Sequence, residues 1–196
     1  LEIFKKTIGN RIENKIKVEY AFQKIEDVKC SIKIPETRRK PWGTVHALLS
    51  AKEKINGPFG VINADDFYGF DSFKIIVDFL NSNTKETEHL IIPYPFNKVS
   101  SKYGSVKRGV LFYDKDNVSY IKECQVEYNG NKIIASPLDE SASIIIQEDH
   151  PVSMNMFGLQ KSILNELEEY FQNFMIKNQN DLEKCECLIS DFLEEY

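Results

Sequence analysis

The chain has 196 residues, 42% of them hydrophobic and 28% charged, and a formal net charge of −5. That length and mix suit one α/β domain with its own core and argue against disorder. The acidic balance argues against a broad nucleic-acid-binding surface, although a small phosphate site needs only a few local donors.

There is no apolar run long enough to span a membrane and no basic-plus-apolar leader, so a cytoplasmic protein is expected. Cys30, Cys124, Cys185 and Cys187 fit reduced thiols. The Cys185-x-Cys187 pair lacks the second close pair that a zinc site needs.

In chain order, Ile16–Phe22 alternates and is rich in β-formers, which predicts a strand ending at Gln23. Pro41-Trp42-Gly43 predicts a turn. Thr44 is expected to cap a helix carrying Val45, Leu48, Leu49, Lys52 and Ile55, stopped by Gly57-Pro58. Phe59–Asn63 is a short apolar run of the kind found in a central parallel strand. Asp71 is expected to cap a helix with Phe73, Ile76, Val77 and Leu80 on one face. His89–Pro95 predicts another strand.

Beyond residue 100 the pattern changes. Arg108–Asp114, Asn117–Glu123 and Asn131–Ser136 predict short strands separated by polar turns. Pro151–Leu159 predicts one more strand. Two helices follow, striped by Ile163, Leu167, Tyr170 or Phe171, and Phe174 and by Leu188, Ile189 and Phe192. The early strand–helix alternation predicts a three-layer α/β fold, Rossmann-like and mostly parallel, with strands around Val18, Ile62 and Ile91 central. The strands from Arg108 to Ser136 are expected to form an antiparallel β side lobe. A single domain over 1–196 is expected.

In an open parallel sheet, ligands sit beyond the carboxyl ends of the strands. Asn63-Ala64-Asp65-Asp66 falls at such an end. A carboxylate there can hold Mg2+, which prefers one or two carboxylates together with waters and substrate phosphates. The plainer reading of Asp65 and Asp66 is a turn or a helix cap. His46, on the first turn of its helix, reads as a packing residue. Lys98, Lys102, Lys107 and Arg108 read equally as a solvated basic turn or as phosphate contacts.

The run from Lys40 to Ala47 (Lys-Pro-Trp-Gly-Thr-Val-His-Ala) and the run from Ile62 to Gly69 (Ile-Asn-Ala-Asp-Asp-Phe-Tyr-Gly) resemble motifs of the nucleotidyltransferases that activate sugar phosphates. They are similar to segments of N-acetylglucosamine-1-phosphate uridylyltransferases and glucose-1-phosphate thymidylyltransferases. The resemblance continues through Tyr103–Val106, Glu123 and Val152–Gly158. It implies the nucleotide-diphospho-sugar transferase fold. It also implies nucleotide binding by Gln23, Gly43 and Thr44, metal binding and catalysis through Asp65, and acceptor binding by Gly104, Glu123 and Asn155. The implied cofactor is Mg2+. The implied partners are a nucleoside triphosphate and a phosphorylated small acceptor, with a homo-oligomer allowed.

In such enzymes an acceptor phosphate attacks the α-phosphorus and pyrophosphate leaves, so alignment and charge neutralisation matter more than a general base. The family's Gly-rich loop does not occur before Gln23, and its second metal ligand falls beyond Tyr196. The chain is therefore expected to be a domain truncated at both ends. A metal-dependent glycosyltransferase and an inactive nucleotide-sugar-binding module are the alternatives.

Overall fold

The computed structural model describes residues 2–29, 32–82, 85–101 and 103–195. Cys30 and Lys102, both noted above, lie outside them. Short helical turns α1 (Glu2–Phe4) and α2 (Asn10–Glu13), joined by a π-helical stretch, open the chain. Then come α3 (Thr44–Ser50), β1 (Phe59–Val61), α4 (Phe70–Asn81), β2 (Leu90–Pro95) and α5 (Phe96–Val99). The second half holds β3 (Val106–Asp114), β4 (Asn117–Asn129), β5 (Lys132–Pro137), β6 (Ile144–Ile146), β7 (Pro151–Leu159), α6 (Ile163–Lys177) and α7 (Ile189–Glu195).

All seven strands belong to one sheet, in the order β1-β7-β3-β4-β5-β6, with β2 also paired to β7. Every pairing among the described residues is antiparallel. The expected three-layer, mostly parallel Rossmann-like sheet is thus incorrect. The reason lies in β7. Its residues are buried along nearly its whole length, and a strand covered on both faces takes a central place in a sheet. It inserts between β1 and β2. Those two run in the same direction, since both oppose β7, but they do not pair with each other.

The expected strand at Ile16–Phe22 is absent. Its β-forming residues find no sheet edge, and Tyr20 instead donates to Glu13 at 2.6 Å. Propensity alone does not make a strand without a hydrogen-bonding partner. The side lobe is also corrected, because β3–β6 continue the same sheet from β7.

Alternation along the strands divides the core between two faces. Phe157, Leu159 and Ile91 pack with Trp42, Val45, Leu167 and Phe171, so α3 and α6 cover one face. Met156, Met154 and Ile92 pack with Tyr68 and Ile76, which places α4 on the other. A further cluster around Phe96, Val110, Val126 and Val152 fills the curl of β3–β6. Among the described residues, no helix is long and apolar enough to cross a membrane.

Candidate functional site

Strand β7 is interrupted where a site can form. Ile91 pairs with Phe157 and Pro93 with Ser153, so two steps on β2 match four on β7. The surplus forms a bulge over Met154–Met156, with Asn155 in the left-handed region at φ 59°. On the opposite edge of β7, β1 ends opposite Phe157 and β3 pairs at Ser153. The turn that follows β1 emerges into this gap.

Tyr68 fixes that turn. It is 3% exposed. Its hydroxyl accepts from the Asn63 backbone N–H at 2.9 Å and donates to the Met154 carbonyl at 2.8 Å. Burial raises the phenol's pKa above its ordinary value. Asp66 accepts from the Asn63 side-chain amide at 2.9 Å, so its carboxylate serves the turn. Asp65 is exposed and makes no hydrogen bond or ion pair among the described residues. The tyrosine thereby sets the turn carrying a free carboxylate beside the Asn155 bulge.

Glu123 lies two strands away from β7, on the side of the sheet that faces α6 and α7. Gly109 pairs with Ser153 on one side and with Glu123 on the other, so the three form one row over β7, β3 and β4. Residues directly opposite one another share a face. The Asn155 N–H donates to the Ser153 hydroxyl at 3.1 Å. Glu123 Oε2 is buried without a hydrogen-bond partner among the described residues.

Burial, and then the charge of Asp191 on α7, push the Glu123 carboxyl up to about 7. Asp191 is itself raised to about 6, by burial first and then by Glu194. Lys122 instead bridges two other acids, Glu194 at 2.5 Å and Asp139 at 3.0 Å. Glu123 and Asp191 line a cavity of about 780 Å3 between β4, α6 and α7. A buried carboxyl that keeps its proton near neutrality can donate a hydrogen bond, for instance to a hydroxyl.

Gln23, Gly43 and Thr44 form a different corner, and each is engaged by the protein itself. The Gln23 amide donates to the Gly43 carbonyl at 2.9 Å. Gly43 has φ 98°, and a Cβ there would overlap the backbone of Cys187. The Cys187 N–H donates to the Trp42 carbonyl at 2.7 Å, and the Val45 N–H donates back to the Cys187 carbonyl at 3.1 Å. Thr44 does not cap α3, where Gly43 holds the N-cap position. Its hydroxyl accepts from the Ile189 N–H at 2.9 Å, at the start of α7.

Arg38 locks this corner. It is 2% exposed, donates to the carbonyls of Leu182, Pro41 and Cys185, and lies 3.4 Å from the centroid of the Trp42 ring. Nothing in the local sequence marked Arg38 or Tyr68 as organising residues.

Gly104 lies in the exposed turn before β3, with φ 139° and open space where a side chain would stand. Arg108 is spent on the carbonyls of Val99 and Lys107. His46 is buried, stacks on Phe171 at 5.1 Å and contacts the Asp27 carbonyl at 3.0 Å through Nε2.

No group of three or more metal-ligating side chains occurs among the described residues. Asp65, exposed and unengaged, fits one anchor for a Mg2+ that arrives with phosphates and waters; it does not fit an all-protein cage. No protein-family model and no curated protein matches the chain, so any functional reading rests on these residues.

Proposed function

We propose that the chain is a cytoplasmic nucleotidyltransferase domain that joins a nucleoside monophosphate to a sugar 1-phosphate or similar small phosphorylated acceptor, releasing pyrophosphate. The observation that carries this reading is the Tyr68 bridge. It ties the turn that carries the free Asp65 carboxylate to the Met154 carbonyl, next in the chain to Asn155. Asp65 would anchor Mg2+, which when bound neutralises charge on phosphate oxygens. Asn155 would orient the acceptor's hydroxyls, while Glu123, the other expected acceptor contact, would have to act from the cavity beside α7. Neither needs to act as a base, since the acceptor phosphate is already an anion.

The test is pyrophosphate release with each nucleoside triphosphate against a panel of sugar 1-phosphates, with and without Mg2+. Wild type should turn over at least one pair, and Asp65→Asn should lose that activity. Release of a nucleoside diphosphate from nucleotide sugars, with no pyrophosphate formed, would instead identify a glycosyltransferase. A binding module without turnover is the second reading. It is favoured by the corner at Gly43, where the three expected nucleotide contacts are occupied by Cys187, Ile189 and one another. Nucleotide-sugar binding without either product would select it.

A further inference from the structure

Helix α4 follows the Asp65–Asp66 turn and buries only one side. Ile76 faces the core, with Ser72, Phe79 and Leu80 partly covered. Phe70 is 87% exposed, Phe73 42% and Val77 52%. At about 100° per residue, these three fall within about 60° of one another and make one apolar stripe, while Ile75, 50% exposed, lies on the far side of the charged flank. Phe67, 83% exposed in the turn that leads into the helix, adds a third ring at the same end. Exposed apolar residues are ordinary when scattered, but a continuous stripe with aromatic residues marks a contact surface.

The charges beside the stripe indicate what covers it. Asp71, Lys74 and Asp78 lie on a single flank of α4, all exposed, and none makes an ion pair among the described residues. When two copies of a helix pair antiparallel about a two-fold axis, each flank runs beside the same flank of the other copy. An axis crossing between Ser72 and Phe73 sets Asp71 beside the partner's Lys74, and does so twice. The same register nests Phe70 between the partner's Phe73 and the partner's Val77. Asp71 and Lys74 are thus complementary to their own copies in the register that closes the apolar stripe, while Asp78 extends past the start of the partner's helix.

We infer that α4 is the dimer interface between two copies of this chain. The contact lies at the small end of stable interfaces, roughly 1,000–1,200 Å2 in total, so association is expected in the micromolar range. It places the two Asp65 turns at opposite ends of the paired helices. The inference does not depend on the proposed reaction.

Sedimentation velocity from about 1 to about 300 µM tests it. Wild type should pass from monomer to dimer. Phe70→Ser, at a position with no packing role inside the monomer, should remove the dimer and leave the circular dichroism spectrum unchanged. Asp71→Lys and Lys74→Asp should each weaken association about tenfold, because each creates two like-charge contacts. The double variant Asp71→Lys/Lys74→Asp should recover to within about threefold of wild type. A monomer at every concentration overturns the inference, whether or not it binds other proteins or vesicles. So does a dimer indifferent to Phe70→Ser, and so does a double variant that fails to recover.

Discussion

The Gly43 corner and the Asp65 turn stand in contrast. The first is built from residues about 145 positions apart, and its polar groups are used by the protein: Arg38 on three carbonyls, Thr44 on Ile189, Gln23 on Gly43. The second is built from neighbours in sequence, held to β7 by one tyrosine, and leaves Asp65 unused. Groups consumed internally carry stability. Groups left over are available to a ligand. On that ground the corner should respond to mutation mainly through folding, and the turn mainly through binding.

The largest effect is expected at Gly43. Gly43→Ala would force a Cβ into the Cys187 backbone at a left-handed φ, at a cost of about 3–4 kcal/mol. Urea unfolding measures it. A loss under about 1 kcal/mol would mean that the corner yields easily and that the contrast with the turn is false.

Glu123, in the cavity beside α7, sharpens the comparison through pH. Its folded pKa, about 7, lies above the ordinary 4.5. The native state therefore holds the proton more tightly than the unfolded chain. The stabilising contribution is complete below about pH 4.5 and is lost as pH rises through 7. Asp191 acts in the same direction between about 3.8 and 6. Stability should fall by about 2–3 kcal/mol over this window. Glu123→Gln, which cannot ionise, should flatten about half of that slope in denaturant titrations at stepped pH, leaving the part due to Asp191. An unchanged slope would show that Glu123 is not the group responsible.

A smaller effect is expected at the tie between the turn and the sheet. Tyr68→Phe leaves the Asn63 N–H and the Met154 carbonyl without their shared partner and should cost about 1–2 kcal/mol. Hydrogen exchange should quicken first at Asn63 and its neighbours in the turn, and not in the Cys187 segment. Equal acceleration in both places would show the two regions to be one cooperative unit.

The smallest effect on folding belongs to Asp65. Asp65→Asn should change stability by no more than about 0.5 kcal/mol, since the side chain is exposed and makes no hydrogen bond or ion pair among the described residues. In titration calorimetry with a nucleoside triphosphate it should nonetheless remove the Mg2+-dependent part of binding. Asp66→Asn should retain most of that binding and lose a fraction of a kcal/mol of stability through its bond to Asn63. Matching behaviour of the two variants in both measurements would erase the distinction between ligand group and turn group.

The sequence by itself determined the local elements whose partners are near or whose patterns are strong. Pro151–Leu159 forms β7 with the expected bounds, and the stripe of Ile163, Leu167 and Phe171 buries one side of α6. The stop at Asn63–Asp66 after an apolar strand, with Asp66 used inside the turn, also follows from local chemistry, because a short carboxylate side chain reaches groups only a few residues away. Helix α4 was legible, but its N-cap is Gly69 and not the expected Asp71, and which of its apolar residues would be covered was not legible. Phe73 and Val77 fit the buried stripe by spacing, yet β1, β2 and β7 meet the helix on the side of Ile76 and leave those two exposed.

Only the tertiary structure decided the rest. Strand order turned on β7, which enters between β1 and β2 from about sixty residues downstream of β2, and periodicity carries no information about which edge a distant strand will occupy. The fate of Ile16–Phe22 turned on the presence of an edge to pair with. The pKa of Glu123 turned on α7 settling over β4, and the conformation of Gly43 turned on Cys187 arriving beside it. In each case the energy depends on surfaces brought together through space, by burial and close packing, between residues whose separation along the chain leaves no local trace.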